Sequence, residues 1–85
     1  MHFEATRRFM KDYEALPLDI KEQVKKTLLL LEQHPTHPSL HHRKMGGHLN
    51  IYEVRVTLQY RITYHRFRDI GYLRRVGSHD VLRHP

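Results

Sequence analysis

The sequence predicts an α+β domain: a helical hairpin packed on a small antiparallel sheet. Two features of its 85 residues carry that expectation. Before residue 35 apolar side chains recur every three or four positions, the period of a helix, and after residue 50 they recur every second position, the period of a strand. Between the two halves lies "HPTHPSLHHRKMGGH", where two prolines and a glycine pair interrupt any regular element. A chain of this length has room for one core, so residues 1–85 are read as a single domain.

In the first half, Phe9, Met10, Tyr13 and Leu16 fall three and four apart with Arg7, Arg8, Lys11, Asp12 and Glu14 among them. This predicts an amphipathic helix within residues 3–16, whose first residues fit a short strand equally well. Pro17 breaks the pattern, and Asp19 with Glu22 three positions on resembles a capping box opening a second helix. Its stripe is Ile20, Val24, Leu28 and Leu31, with Lys21, Glu22, Lys25 and Lys26 facing water.

In the second half, "IYEVRVT" alternates Tyr52, Val54 and Val56 with Glu53, Arg55 and Thr57, and "YRITYHRF" alternates Tyr60, Ile62 and Tyr64 with Arg61, Thr63 and His65. A three-residue turn at residues 57–59 pairs Val56 with Tyr60, Val54 with Ile62 and Tyr52 with Tyr64, which keeps one face wholly apolar. A two-residue turn would mix the faces. The favoured register sets Arg55 opposite Arg61, a like-charge pair that repels unless an anion lies between. A third strand is expected at 70–76, after a tight Arg68–Asp69 turn, with Gly77 ending it.

Fifteen Lys and Arg against nine Asp and Glu give +6, and the excess is uneven. All seven basic residues after position 48 are arginine, the side chain whose planar fork matches phosphate, so a nucleic-acid backbone is the expected polyanion. There is no cysteine, hence no disulfide or thiolate metal site. The longest apolar run, Leu28 to Leu31, is far below the roughly 20 residues that span a bilayer, and no signal-peptide pattern opens the chain. A cytoplasmic protein without a membrane partner is expected.

On the polar face of the expected sheet stand Glu53, Arg55, Arg61, Thr63 and His65, with Arg75 or Arg74 and then His79 arriving from the third strand. Arginines around a histidine are a minimal set for metal-free RNA cleavage. A base takes the ribose 2′-hydroxyl proton, arginines stabilise the phosphorane, and an acid such as His79 protonates the leaving 5′-oxygen. Arg43, Lys44 and His48 of the histidine-rich segment, with Arg74, Arg75 and Arg83, are the expected RNA contacts. No cofactor and no metal are required. Zinc binding by His34, His37, His41 and His42 is the competing use of the histidine-rich segment.

The order "LP", helix, "HPSL", "IYEVRV", "YRITY", "LRRVGSHD" resembles the RelE/ParE superfamily of toxins from type II toxin–antitoxin modules, above all the RelE-like and YoeB-like translational repressors, over residues 16–80. The resemblance implies an α+β fold and a ribosome-dependent endoribonuclease that cuts A-site mRNA and is neutralised by a cognate antitoxin. It implies that Arg61 contacts the scissile phosphate, that Arg55 stands at a Lys/Arg position of the RNA-cutting members, and that His79 stands where they carry a catalytic His or Arg. The chain departs from that pattern in four places, one being an N-terminus short for the family's usual first strand, which is expected to be degenerate or missing. No tyrosine follows Tyr72, so Leu82 and His84 occupy the stretch where relatives place one; the paired lysines of the RelE type read Glu53 and Arg55; and the YoeB-type glutamate has no counterpart. The general base stays open among Glu53, His48 and His42. Two other roles remain: a ParE-like gyrase inhibitor, and an inactive relative that only binds antitoxin or nucleic acid. Substitution of Arg61 or His79 by alanine is expected to relieve growth arrest with the fold intact.

Overall fold

A computed structural model describes residues 1–85. The chain opens with strand β1 (His2–Ala5), continues through helices α1 (Arg7–Glu14) and α2 (Leu18–Gln33), and ends with β2 (Arg43–Lys44), β3 (Ile51–Arg55), β4 (Tyr60–Phe67) and β5 (Ile70–Ser78). Single 3₁₀ turns occupy Pro38–Leu40 and His79–Arg83. The five strands form one sheet in the order β1-β5-β4-β3-β2. No helix is long and apolar enough to cross a membrane.

One part of the expected fold is corrected. A strand precedes the helices, and it pairs parallel to β5, so the sheet is mixed rather than antiparallel throughout. The cause is a contact that periodicity does not show. A Cβ on Gly71 would overlap the Phe3 ring, so the glycine lets that ring lie edge-on to Tyr64, with centroids 5.2 Å apart. Thr6 ends the strand and starts α1: its hydroxyl donates to the Leu73 carbonyl at 2.6 Å and accepts from the Phe9 N–H. The helix therefore begins later than residue 3. At α2 the capping box does not form, since no side chain caps the first turn; Pro17 is the N-cap and Asp19 lies in the first turn.

The hairpin register is the one that keeps a face apolar: Tyr52 pairs with Tyr64, Val54 with Ile62 and Arg55 with Arg61. Val54, Ile62, Tyr64, Leu73 and Val76 meet Phe9, Val24, Leu31 and Leu40 in one core, and Ile20 and Leu28 of the α2 stripe pack against it. β5 runs on through Gly77 to Ser78. Gly77 serves a different end: a Cβ there would come within 2.8 Å of Val81 Cγ1, so its absence lets residues 79–85 fold back over the sheet as a strap with Val81 buried beneath. The segment expected as loop also contributes β2, which pairs Arg43 with Glu53 and Lys44 with Tyr52 at the sheet edge.

Beyond the end of β1, the edge of β5 is closed by a side chain. The Asp12 carboxylate of α1 accepts from the Val76 N–H at 3.2 Å and from Arg75 Nε at 2.7 Å. This satisfies an edge donor that no strand reaches.

Candidate active site

Alternation along β3 and β4 sends Glu53, Arg55 and Arg61 to the sheet face opposite the core, and the strap closes one side of them. The result is a cleft of about 280 Å³ lined by His41, Arg43, Glu53, Arg55, Arg61, His79 and Leu82. Three guanidinium groups share it with one carboxylate. Glu53 lies at the buried base, 4% exposed, and accepts from Arg43 Nε across the β2–β3 pair.

Arg61 is held rather than free. Its Nη1 donates to the carbonyls of Thr57, Leu58 and Tyr60 at 2.8, 3.0 and 3.1 Å, which pins the guanidinium to the β3–β4 turn. Burial, then the facing Arg55, and to a lesser degree Arg43, hold its pKa below the ordinary arginine value, while Glu53 pulls the other way. The charged form is thus under electrostatic pressure that an anion in the cleft would relieve. Arg55 is under-partnered as well: its Nε is buried with no hydrogen-bond acceptor. Arg55 Nη1 lies 3.3 Å from His41 Nε2, and because arginine only donates, that bond requires an unprotonated Nε2 with the ring proton on Nδ1. His79 stands exposed at the rim, just after the end of β5.

No family model and no curated protein matches the sequence. The fold, in contrast, has many solved counterparts. A chain of the E. coli DinJ-YafQ toxin–antitoxin complex superposes with a TM-score of 0.78 at 18% identity, covering 94% of this chain and 93% of that one. A chain of the RelB-RelE antitoxin–toxin complex of Methanococcus jannaschii gives 0.75 at 22% identity over 99% and 96%. The YoeB/ParE toxin of Agrobacterium tumefaciens gives 0.75 at 15% identity over 93% and 99%. The fold is that of the RelE/ParE toxins.

Within this RelE/ParE fold the residues singled out from sequence separate into three groups. Glu53, Arg55, Arg61, His79 and Arg43 meet in the cleft. His48, Arg74 and Arg83 line a second groove at the far end of the strap. Arg75 and Lys44 reach neither: Arg75 is bound to Asp12, its side chain only 18% exposed, and Lys44 points outward from the edge strand β2. Of the open candidates for general base, His42 is fully engaged, its Nδ1 bonded to the Pro35 carbonyl at 3.0 Å and its Nε2 to the Tyr64 hydroxyl at 2.6 Å. The histidine that does enter the cleft is its neighbour His41, which sequence reasoning weighed only as a zinc ligand. His37 bonds Ser39, and no three His, Asp or Glu side chains converge as a metal-binding group. The signal for His41 lies in Leu40, the one Leu, Ile, Val, Met or aromatic residue between residues 33 and 44. Leu40 is buried, 1% exposed, which ties its neighbours to the sheet. His41 follows it with φ 44°, a left-handed conformation that carries its ring toward the cleft.

Proposed function

We propose that this protein is the toxin of a type II toxin–antitoxin module and a metal-free endoribonuclease that cuts mRNA on the ribosome, with a cognate antitoxin as its partner. The observation that carries the reading is Arg55 facing Arg61 across the β3–β4 pair, with His41 and His79 lining the same cleft. A phosphodiester between the two arginines would offset their repulsion, and a small turn of the Arg55 side chain would bring its shielded Nε an acceptor there. As Arg55 turns from His41 Nε2 to the phosphate, the freed Nε2 takes the 2′-hydroxyl proton, the 2′-oxygen bonds to phosphorus, and the arginines stabilise the added charge of the phosphorane. His79 then protonates the departing 5′-oxygen as its bond to phosphorus breaks, leaving a 2′,3′-cyclic phosphate and a 5′-hydroxyl. Glu53, already bonded to Arg43, orients that arginine and limits the positive charge of the cleft. Leu82 stands in the cleft near the stretch where RNA-cutting relatives place a tyrosine, so histidine, not tyrosine chemistry, supplies the acid here.

Primer extension on translating ribosomes tests the reading. The wild-type protein is expected to give discrete cuts, and His41→Ala and His79→Ala each to reduce the cutting rate by about 10²–10⁴. Both side chains are exposed, so the fold should survive their loss. Inhibition of gyrase supercoiling without mRNA cuts would sink the proposal in favour of the gyrase-poison role, and antitoxin binding with neither activity would make the chain an inactive relative.

A further inference from the structure

The strap has two sides, and both are basic. Past Leu82 it turns Arg83 and His84 into a groove of about 300 Å³ with Arg8, Arg74 and His48, and no Asp or Glu side chain lines it. Arg74 is fixed there by donating to the Pro85 carbonyl at 3.0 Å, whereas Arg8, Arg83, His48 and His84 are exposed. The groove lies on the same sheet face as the cleft. Ile51, which lines it, shares the parity of Glu53 and Arg55 along β3, and Ile51 stands four residue steps from Arg55, roughly 13 Å.

We propose that this groove is a second phosphate subsite for the same RNA strand, gripping nucleotides a few positions from the scissile bond. The inference rests on the cleft being an RNA-cutting site. Three observations favour RNA over an acidic peptide. The groove repeats the composition of the cleft, forked guanidinium groups with imidazoles, the former suited to phosphate oxygens and both able to stack on bases. It is nearly without apolar lining on which peptide side chains would pack, Ile51 and Pro85 aside. And it adjoins the cleft across the strap, because one short segment supplies His79 and Leu82 to one and Arg83 and His84 to the other. An extended strand that leaves the cleft and passes the strap would reach the groove.

Fluorescence anisotropy with fully 2′-O-methylated RNA, which cannot be cut, of three and of eight nucleotides tests this. The wild-type protein is expected to bind the octamer at least about tenfold more tightly than the trimer. In the Arg8→Gln/Arg83→Gln variant that advantage should fall below about threefold, and the slope of log affinity against log salt for the octamer should drop by roughly 1.4, two phosphate contacts on a single strand. Neither arginine makes a hydrogen bond within the protein, so the variant should fold, which a thermal melt checks. An octamer advantage that survives both substitutions overturns the inference, as does trimer binding with no octamer advantage, a result that leaves the cleft reading standing. Failure to bind either RNA overturns the inference, while the cleft reading stands or falls with the ribosome assay. If a polyglutamate peptide depends on Arg8 and Arg83 more than the octamer does, the groove is a protein-docking surface and the RNA assignment falls.

Discussion

Arg61 has two duties that pull against each other. Its Nη1 braces the β3–β4 turn through three carbonyls, while its charge is disfavoured by burial and by Arg55. An alanine at 61 therefore tests more than phosphate contact: it leaves three carbonyls without their donor, at a cost of about 2 kcal/mol. Arg61→Ala is therefore expected to cost stability as well as any phosphate contact. Arg55 is the cleaner probe, because its only side-chain bond is the long contact to His41 and its Nε is an orphan. Arg55→Gln is expected to weaken RNA binding about tenfold while the melting temperature holds or rises, whereas Arg61→Ala lowers both. Equal destabilisation by the two substitutions would remove the argument. A second residue makes the fold sensitive to alkali. Burial, then the stacked Tyr52, raises the Tyr64 hydroxyl to about 12, with Arg66 opposing. The folded state thus holds a proton that the unfolded chain releases near pH 10. Stability is complete below pH 10 and falls as pH rises toward 12, on the order of 2 kcal/mol in all. Tyr64→Phe gives up the bond to His42 but should flatten that part of the alkaline melting profile. An unchanged profile in the variant would place the sensitivity elsewhere.

The join between α1 and β5 is the element-level feature most open to test. Asp12 pairs with Arg75 where both side chains are about four-fifths buried, and it also caps the Val76 N–H. Asp12→Ala leaves the shielded Arg75 guanidinium with the His84 carbonyl alone and the Val76 edge donor with nothing, and a loss of about 3 kcal/mol in urea melts is expected. Asp12→Asn keeps an acceptor for Val76 and should lose less; equal losses would mean the cap is worth nothing. This join also marks the limit of what the sequence discloses. The β3–β4 register was readable because alternation is local and only one turn length keeps Tyr52, Val54 and Val56 on one face. α2 was readable because four stripe positions repeat over three turns. β1 was readable only as an alternative to the start of α1, and its parallel pairing not at all: four residues with one inward ring, Phe3, carry no period, and their partner strand lies almost seventy residues away. Arg75 was misplaced for a related reason. A β-bulge between Thr63 and Tyr64 shifts the β4–β5 register beside Arg74 and Arg75, and the partner that claims Arg75 comes from a helix 63 residues earlier. His41 was obscured by its own neighbours, since four histidines within nine residues look alike until Leu40 is known to be buried.

Across the molecule, the net charge of +6 is a cost to folding that the cleft concentrates, and this yields a test that needs no RNA. Three arginines and one glutamate share about 280 Å³, so an anion bound there stabilises the native state alone. At ten times its dissociation constant, inorganic phosphate should add about 1.4 kcal/mol, which for a domain of this size raises the melting temperature by roughly 5–10 °C. Two unrelated effects act in the same direction. Any salt screens the diffuse repulsion, and phosphate is excluded from protein surfaces generally. Matching ionic strength with chloride removes the first. Arg55→Gln removes neither the screening nor the exclusion, but it takes away one arm of the site, so the difference between wild type and variant isolates binding in the cleft. The wild-type protein is expected to gain several degrees more than Arg55→Gln on going from chloride to phosphate, with saturation in the millimolar range or below. An identical, non-saturating rise in both proteins would show that the charge is merely dispersed over the surface, and the facing arginines would then lose their claim to hold a phosphodiester.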